Sequence, residues 1–271
     1  MRAYPLACIV ALSLSTASSL AQSDGELLHR VGNWVQMFVE QFANVVAEEE
    51  YVPAIRRLGS RLRSDYLLVR QPGSVGNWRT FRDVVAVDGN SLQDQPERLS
   101  KLFMQPFDSA IEQANAIATH SARYISPYAD PLIGIVVLQH RYQPRFRHVV
   151  GELDRGIGPG VRRITFEETA RPAIFRDGKS DLPTHGTVWV LEATGRIVRT
   201  EVHIGVVGRL SRTTVLTTSF KKDDALQIDV PATMVEGQTE GSNASLKGTA
   251  YYTRFRRFSV RTTERVDLPR P

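Results

Sequence analysis

From Arg145 to Val260 the sequence is a series of short runs rich in β-branched and aromatic residues, separated by turn residues. The runs are Arg145 to Leu153, Val161 to Thr169, Thr187 to Ala193, Arg196 to Val207, Arg212 to Lys221, Leu226 to Val230 and Leu246 to Val260. Gly156 to Gly160 and Glu236 to Asn243 read as flexible connections. Strands joined by such short connections pair antiparallel, because a parallel crossover needs a dozen residues or more. Strand does not alternate with helix here, so a doubly wound α/β fold is excluded.

The first half adds helices. Leu27, Leu28, Val31, Trp34, Val35, Phe38, Phe42 and Val45 recur at helical spacing, so Asp24 to Ala47 reads as one helix with Asp24 as its N-cap. Tyr51-Val52, Ile55 to Leu58, Asp65 to Arg70 and Trp78 to Asp88 read as strands. Asp94 to Phe103 and Asp108 to Arg123 return to helical spacing, and Pro131 to His140 reads as a short buried helix. The expectation is an α+β fold. It has a large curved antiparallel sheet of about nine or ten strands, covered on one face by an N-terminal helix and a helical insert over about 92–143. With 42% hydrophobic and 23% charged residues the chain has the composition of a globular protein.

The N-terminus carries a compartment signal. Met1-Arg2 gives a positive start, Leu6 to Leu14 is almost wholly apolar, and Ser19-x-Ala21 matches a cleavage site. The run is too short to span a bilayer. The pattern predicts a secretory signal over 1–21 and a single exported domain over 22–271, periplasmic or secreted and without a transmembrane span. The one cysteine, Cys8, lies inside the signal, so the exported chain has no disulfide framework and no Cys-rich zinc module. Arg2 is the only charged residue in 1–21, so removing it turns the formal charge of +5 into +4. Arg carries most of the positive charge and is interleaved with acids along the strands. The cluster His140 to His148 reads as a solvated strand face, not a nucleic-acid footprint.

Each strand has one apolar side. In the hairpin with Thr194-Gly195 at its tip, a two-residue loop sets Leu191 opposite Val198 and Trp189 opposite Thr200. Trp189, Leu191, Val198 and Val202 then share one face, and Val188, Val190, Glu192, Ile197, Arg199 and Glu201 the other. Phe81 and Val85, and Ile164 and Phe166, alternate with other residues on their own strands. Phe81, Val85, Ile164, Phe166, Trp189, Leu191, Val198 and Val202 are the candidate wall of a ligand cavity. An apolar sheet face covered by helices is equally the wall of a filled core.

Several of these segments together resemble the LolA/LolB superfamily of outer-membrane lipoprotein-sorting proteins. They are the signal, the helix leading into Ala47-Glu48-Glu49-Glu50-Tyr51, and two hairpins. The first runs from Ser64-Asp65-Tyr66-Leu67-Leu68-Val69 to Trp78-Arg79-Thr80-Phe81. The second runs from Gly186-Thr187-Val188-Trp189-Val190 to Arg196-Ile197-Val198-Arg199-Thr200-Glu201. The resemblance implies an unclosed β-barrel with helices lidding an apolar cavity, and a non-enzymatic binder or carrier of a lipid or acyl chain. The insert Leu92 to Gln143 departs from the short carriers of that family. The alternatives are an envelope structural or interaction protein with a filled core and a protein partner, and a hydrolase with a dispersed site.

Catalytic and metal motifs are not found. The sequence has no Gly-x-Ser-x-Gly, and Gly156 to Gly160 lacks the Lys-Ser/Thr of a phosphate loop. The six histidines form no His-x-x-x-His pattern. Glu201 and His203 share a strand face as a solvated pair. Neighbours in Glu48-Glu49-Glu50 and Glu167-Glu168 point to opposite faces of a strand. No catalytic residue, metal ligand or cofactor is assigned.

Overall fold

The computed structural model describes residues 11–55, 59–71, 73, 77–92, 98–103, 107–126, 128–205, 212–240 and 243–258. The first ten residues of the signal reading, the segment 56–58 of the strand expected at Ile55 to Leu58, and residues 93–97 lie outside them. Among the described residues the chain is an α+β fold dominated by one unclosed antiparallel sheet of eleven strands.

Helix α1 (Ala11–Phe42) leads into β1 (Val45–Pro53), β2 (Leu62–Arg70), β3 (Trp78–Val87) and the two-residue β4 (Asn90–Ser91). The helix starts upstream of Asp24, which lies inside it and not at its cap. No Gly or Pro interrupts Ala11 to Ala21, so nothing in that stretch stops the helix. It also ends before the expected Ala47. Asn44 adopts a left-handed φ of 63°, a conformation that terminates helices, and the β-branched pair Val45-Val46 begins β1.

The insert supplies α2 (Arg98–Leu102), α3 (Phe107–Ser121) and α4 (Ile133–Val136). Then follow β5 (Phe146–Leu153), β6 (Val161–Glu168), the separate hairpin β7 (Phe175–Asp177) and β8 (Ser180–Leu182), β9 (Thr184–Leu191), β10 (Ile197–Gly205), β11 (Arg212–Lys222), β12 (Asp229–Glu240) and β13 (Asn243–Arg257). The connection expected over Glu236 to Asn243 is strand as far as Glu240, paired along its length with β11 and β13. The strands β4, β7 and β8 are too short to show an alternation in sequence.

The sheet order is β4-β3-β2-β1-β13-β12-β11-β10-β9-β6-β5. The first long strand pairs with the last, so β1 and β13 join an N-terminal meander to a C-terminal one. The two strands flanking the insert, β4 and β5, are therefore the two edges of the sheet. The insert must travel from one edge to the other. This accounts for the apolar stretch Pro131 to His140: it crosses a sheet face, and all four residues of α4 are buried as it packs against β10.

The helices do not share one face. Alternation along β1 and β2 sends Val45, Ala47, Tyr66 and Leu68 into one cluster and Val46, Leu67 and Val69 into another. The first cluster holds α1 (Val31, Trp34, Phe38, Phe42) and α4 against strands from β3 to β5. The second holds α2 and α3 (Leu99, Leu102, Ala110, Ala114, Ile117) against β2 and β3. The helical insert thus divides: α4 lies on the α1 side, whereas α2 and α3 cover the opposite side of the N-terminal strands. Strand β2, covered on both sides, is buried from Ser64 to Val69.

Candidate functional site

The eight residues expected to wall one cavity lie in three places. Ile164, Phe166 and Val202 are buried in the α1-side core, filled by neighbouring side chains. Phe81 is buried on the opposite side with α2 and α3, and its ring meets Phe103 at 5.6 Å. Val85 lies four residues on along the same strand and is half-buried. Trp189, Leu191 and Val198 are half-buried on the outer side of β9 and β10.

A bulge separates the last three from Val202. Ile197 pairs with Val190, but the next pair is Arg199 with Trp189, leaving Val198 as the extra residue. The extra residue brings Val202 onto the buried face of Val188, Val190 and Ile197 and leaves Trp189 outward, where the Arg199 guanidinium lies 5.0 Å from its ring. Trp189 Nε1 donates to Asp154 at 2.9 Å.

The polar centre of the core was not marked by any motif. Glu49 of β1 is fully buried and paired with Arg82 of β3, whose Nη2 donates to Glu49 Oε1 at 2.8 Å and to the Ala129 carbonyl at 2.7 Å. Tyr252 of β13 donates to the same Glu49 oxygen at 2.7 Å. Asp130 accepts from Tyr66 at 2.9 Å, from the Leu132 amide at 2.8 Å and from the Thr80 hydroxyl. Burial by itself depresses the Arg82 pKa, but the charge and hydrogen bonds of Glu49 outweigh it and hold the guanidinium protonated. Burial raises the Tyr66 and Tyr252 hydroxyls well above their ordinary value, and the neighbouring Asp130 and Glu49 carboxylates add to this. Both tyrosines are therefore neutral donors. The adjoining cleft, lined by Tyr66, Thr80, Arg82, Ser121 and Asp130, has a volume of about 110 Å³. That is below the ~300 Å³ at which small-molecule sites begin. The cluster ties the insert to β1, β2 and β3.

A second set of titratable groups sits on the outer face. Direct strand pairings align Arg147, Glu167, His185 and His203 in a row. The imidazoles of His185 and His203 stack with centroids 4.7 Å apart, and His203 Nε2 lies 3.2 Å from Glu201 Oε1. Glu201 and His203 thus share a face, as their spacing requires. Burial, then the His203 charge, lowers the His185 pKa. Among the described residues no group of three His, Cys, Asp or Glu side chains has metal-binding geometry.

The geometry best suited to an apolar ligand is a groove beside α1. It has a volume of about 350 Å³ and lies between α1, the β2–β3 end of the sheet and the segment Gln139 to Arg141. Val35, Val39 and Trp78, all buried, form its floor, and Gln36, Glu40, Arg70 and Arg141 form its rim. One wall is fixed by a close approach at Gly32, where an added Cβ would lie 2.5 Å from the His140 ring. His140 Nε2 lies 2.8 Å from Asn33 Oδ1, and Gln143 Nε2 donates to the Leu28 carbonyl at 2.9 Å. Two larger clefts, of about 450 and 540 Å³, are less suited. The first is lined by the charged side chains of Glu50, Arg61, Arg63 and Asp88, and the second is a shallow surface over the His185–His203 row.

No family model, characterised protein or solved structure matches this chain. Its functional reading therefore rests on its own residues. Among the described residues no helix is long and apolar enough to cross a membrane.

The groove was partly legible: Val35 belongs to the helical apolar stripe, and Pro131 to His140 is the apolar segment beside it. What sequence reasoning missed was Gly32. A glycine in the middle of an amphipathic helix is a signal of close approach by another element.

Proposed function

We propose that the chain is an exported cell-envelope protein of LolA/LolB-like build. It binds a lipid or another apolar ligand non-covalently and catalyses no reaction. In this reading the signal peptide is removed and the protein works in the periplasm or outside the cell. The unclosed sheet is curved as an open barrel, with α1 and the crossing segment lying against its apolar side.

Chain reach supports the curvature. Asp130 is bonded to Tyr66 on β2, and Phe146 begins β5, eight strand spacings away. In a flat sheet those spacings total about 38 Å at ~4.8 Å each. The intervening chain is turns and short helices, which cover only about 24–32 Å at ~1.5–2 Å per residue. Bending the sheet brings its edges within that reach.

The observation that carries the ligand reading is the groove beside α1, open to solvent with a buried apolar floor. Its volume falls in the range of small-molecule sites, about 300–1,000 Å³. Titration of the full chain with the apolar fluorophore diphenylhexatriene tests it. Saturable binding with the near-UV spectrum of the folded protein preserved is expected. No binding to the folded protein, after delipidation, contradicts it.

One observation favours a second reading, an envelope structural or interaction protein with a filled core. Phe38 and Phe42 of α1, with Tyr66 and Tyr252, are fully buried and occupy the space between helix and sheet. In that case a protein partner binds the outer surface and the groove stays empty.

A further inference from the structure

We infer that the groove beside α1 takes a single-chain anionic amphiphile, a long-chain carboxylate. Its tail lies on Val35, Val39 and Trp78 and its carboxylate is held at Arg70 and Arg141. The inference rests on the ligand-binding reading above and adds the class and direction of the ligand.

Three observations carry it. The groove is two-sided in chemistry: a floor of buried apolar side chains and a rim of charged ones. Apolar contact drives an alkyl chain onto such a floor, but gives it no direction. The rim supplies direction. Two guanidiniums line it against one carboxylate, Glu40, which accepts from Gln36 Nε2 at 3.3 Å. Arg141 Nη1 donates to Asn77 Oδ1 at 3.0 Å and its guanidinium lies 4.7 Å from the Tyr142 ring, which hold it at the rim. Arg70, the last residue of β2, is exposed. A guanidinium fork matches a carboxylate in geometry as well as charge. Size selects the third property. At about 350 Å³ the groove lies at the small end of ligand sites, which matches one chain better than the two chains of a phospholipid.

The test uses the full chain with cis-parinaric acid, a fluorescent long-chain carboxylate, and with its methyl ester. The acid is expected to bind about tenfold more tightly than the ester, the difference made by one charge-assisted contact. Arg70→Glu and Arg141→Glu should each lower the affinity for the acid far more than that for the ester, removing most of the preference. Gln36 is an exposed rim residue, and Gln36→Trp should fill the groove and weaken both probes. Equal affinity for acid and ester, unaffected by either reversal, overturns the carboxylate assignment while the apolar-ligand reading stands. Binding of neither probe by the folded protein overturns both. Unchanged binding in Gln36→Trp places the ligand elsewhere and overturns the inference. Circular dichroism of each variant confirms that the fold is kept.

Discussion

Arg82 of β3 reaches past the intervening strand β2 to Glu49 of β1, donating to it at 2.8 Å in a site where Glu49 has no solvent exposure. The pair is reinforced by Tyr252 from β13 and by the Ala129 carbonyl from the insert. Four separate parts of the chain thus meet at one buried charge pair.

Removing one partner leaves the other as an uncompensated buried charge. Glu49→Ala should therefore cost about 3–5 kcal/mol in urea unfolding. Replacing both, as Glu49→Leu with Arg82→Met, should cost far less than the sum of the single changes. Additive losses would show that the two residues act independently.

The seat of α1 against the sheet is tested at Gly195, at the tip of the β9–β10 hairpin. Its φ is +70°, and an added Cβ would sit 2.4 Å from the backbone carbon of Arg30. Neither the backbone nor the helix can yield cheaply there. Gly195→Ala should destabilise by about 1–3 kcal/mol in urea unfolding. A neutral result would mean that α1 does not lie against this hairpin.

Phe38 is packed on Phe42 at 5.3 Å and edge-on to Phe220 at 5.8 Å. Phe38→Ala should cost about 3–5 kcal/mol if the space between α1 and the sheet is filled by side chains. A loss below about 1 kcal/mol would show that helix and sheet are not packed there.

Acid should weaken the fold through its histidines. Burial lowers the pKa of His148, and burial with the His203 charge lowers that of His185, both from 6.5. The unfolded chain then binds more protons than the folded one as pH falls below about 6.5, so stability declines until the folded pKa values are passed. Glu167, Arg147, His203 and Glu201 surround His185 on this face. Only the Glu167 carboxylate opposes the shift. Unfolding free energy should drop between about pH 7.5 and 5.5, and His185→Gln should flatten the drop. The half-buried Glu236 acts with the opposite sign: partial burial raises its pKa above 4.5, so its contribution is present below about pH 4.5 and lost as pH rises above it. An unchanged pH profile in His185→Gln would refute the histidine assignment.

Much of the fold was legible because alternation is a local signal. The strands around Ile164, Phe166 and Val202 were read correctly, and so were the opposite orientations of Glu48 and Glu49. Three things were not. The bulge after Ile197 depends on how β10 meets β9, and one extra residue there puts Val202 on the face opposite Trp189. The division of the helices between two sides depends on the sheet order, which places the insert's two ends on opposite edges. The Glu49–Arg82 centre joins residues far apart in the chain and carries no local pattern. The groove beside α1 is of the same kind, since its floor and rim come from α1, β2, β3 and the crossing segment.

Hydrogen–deuterium exchange of the full chain, with and without saturating diphenylhexatriene, tests the central claim most directly. A ligand in the groove should slow exchange in α1 around Gly32 to Glu40 and in the segment Gln139 to Arg141, leaving the outer strands around His185 and His203 unchanged. Slowing confined to those outer strands, or none at all, would contradict it.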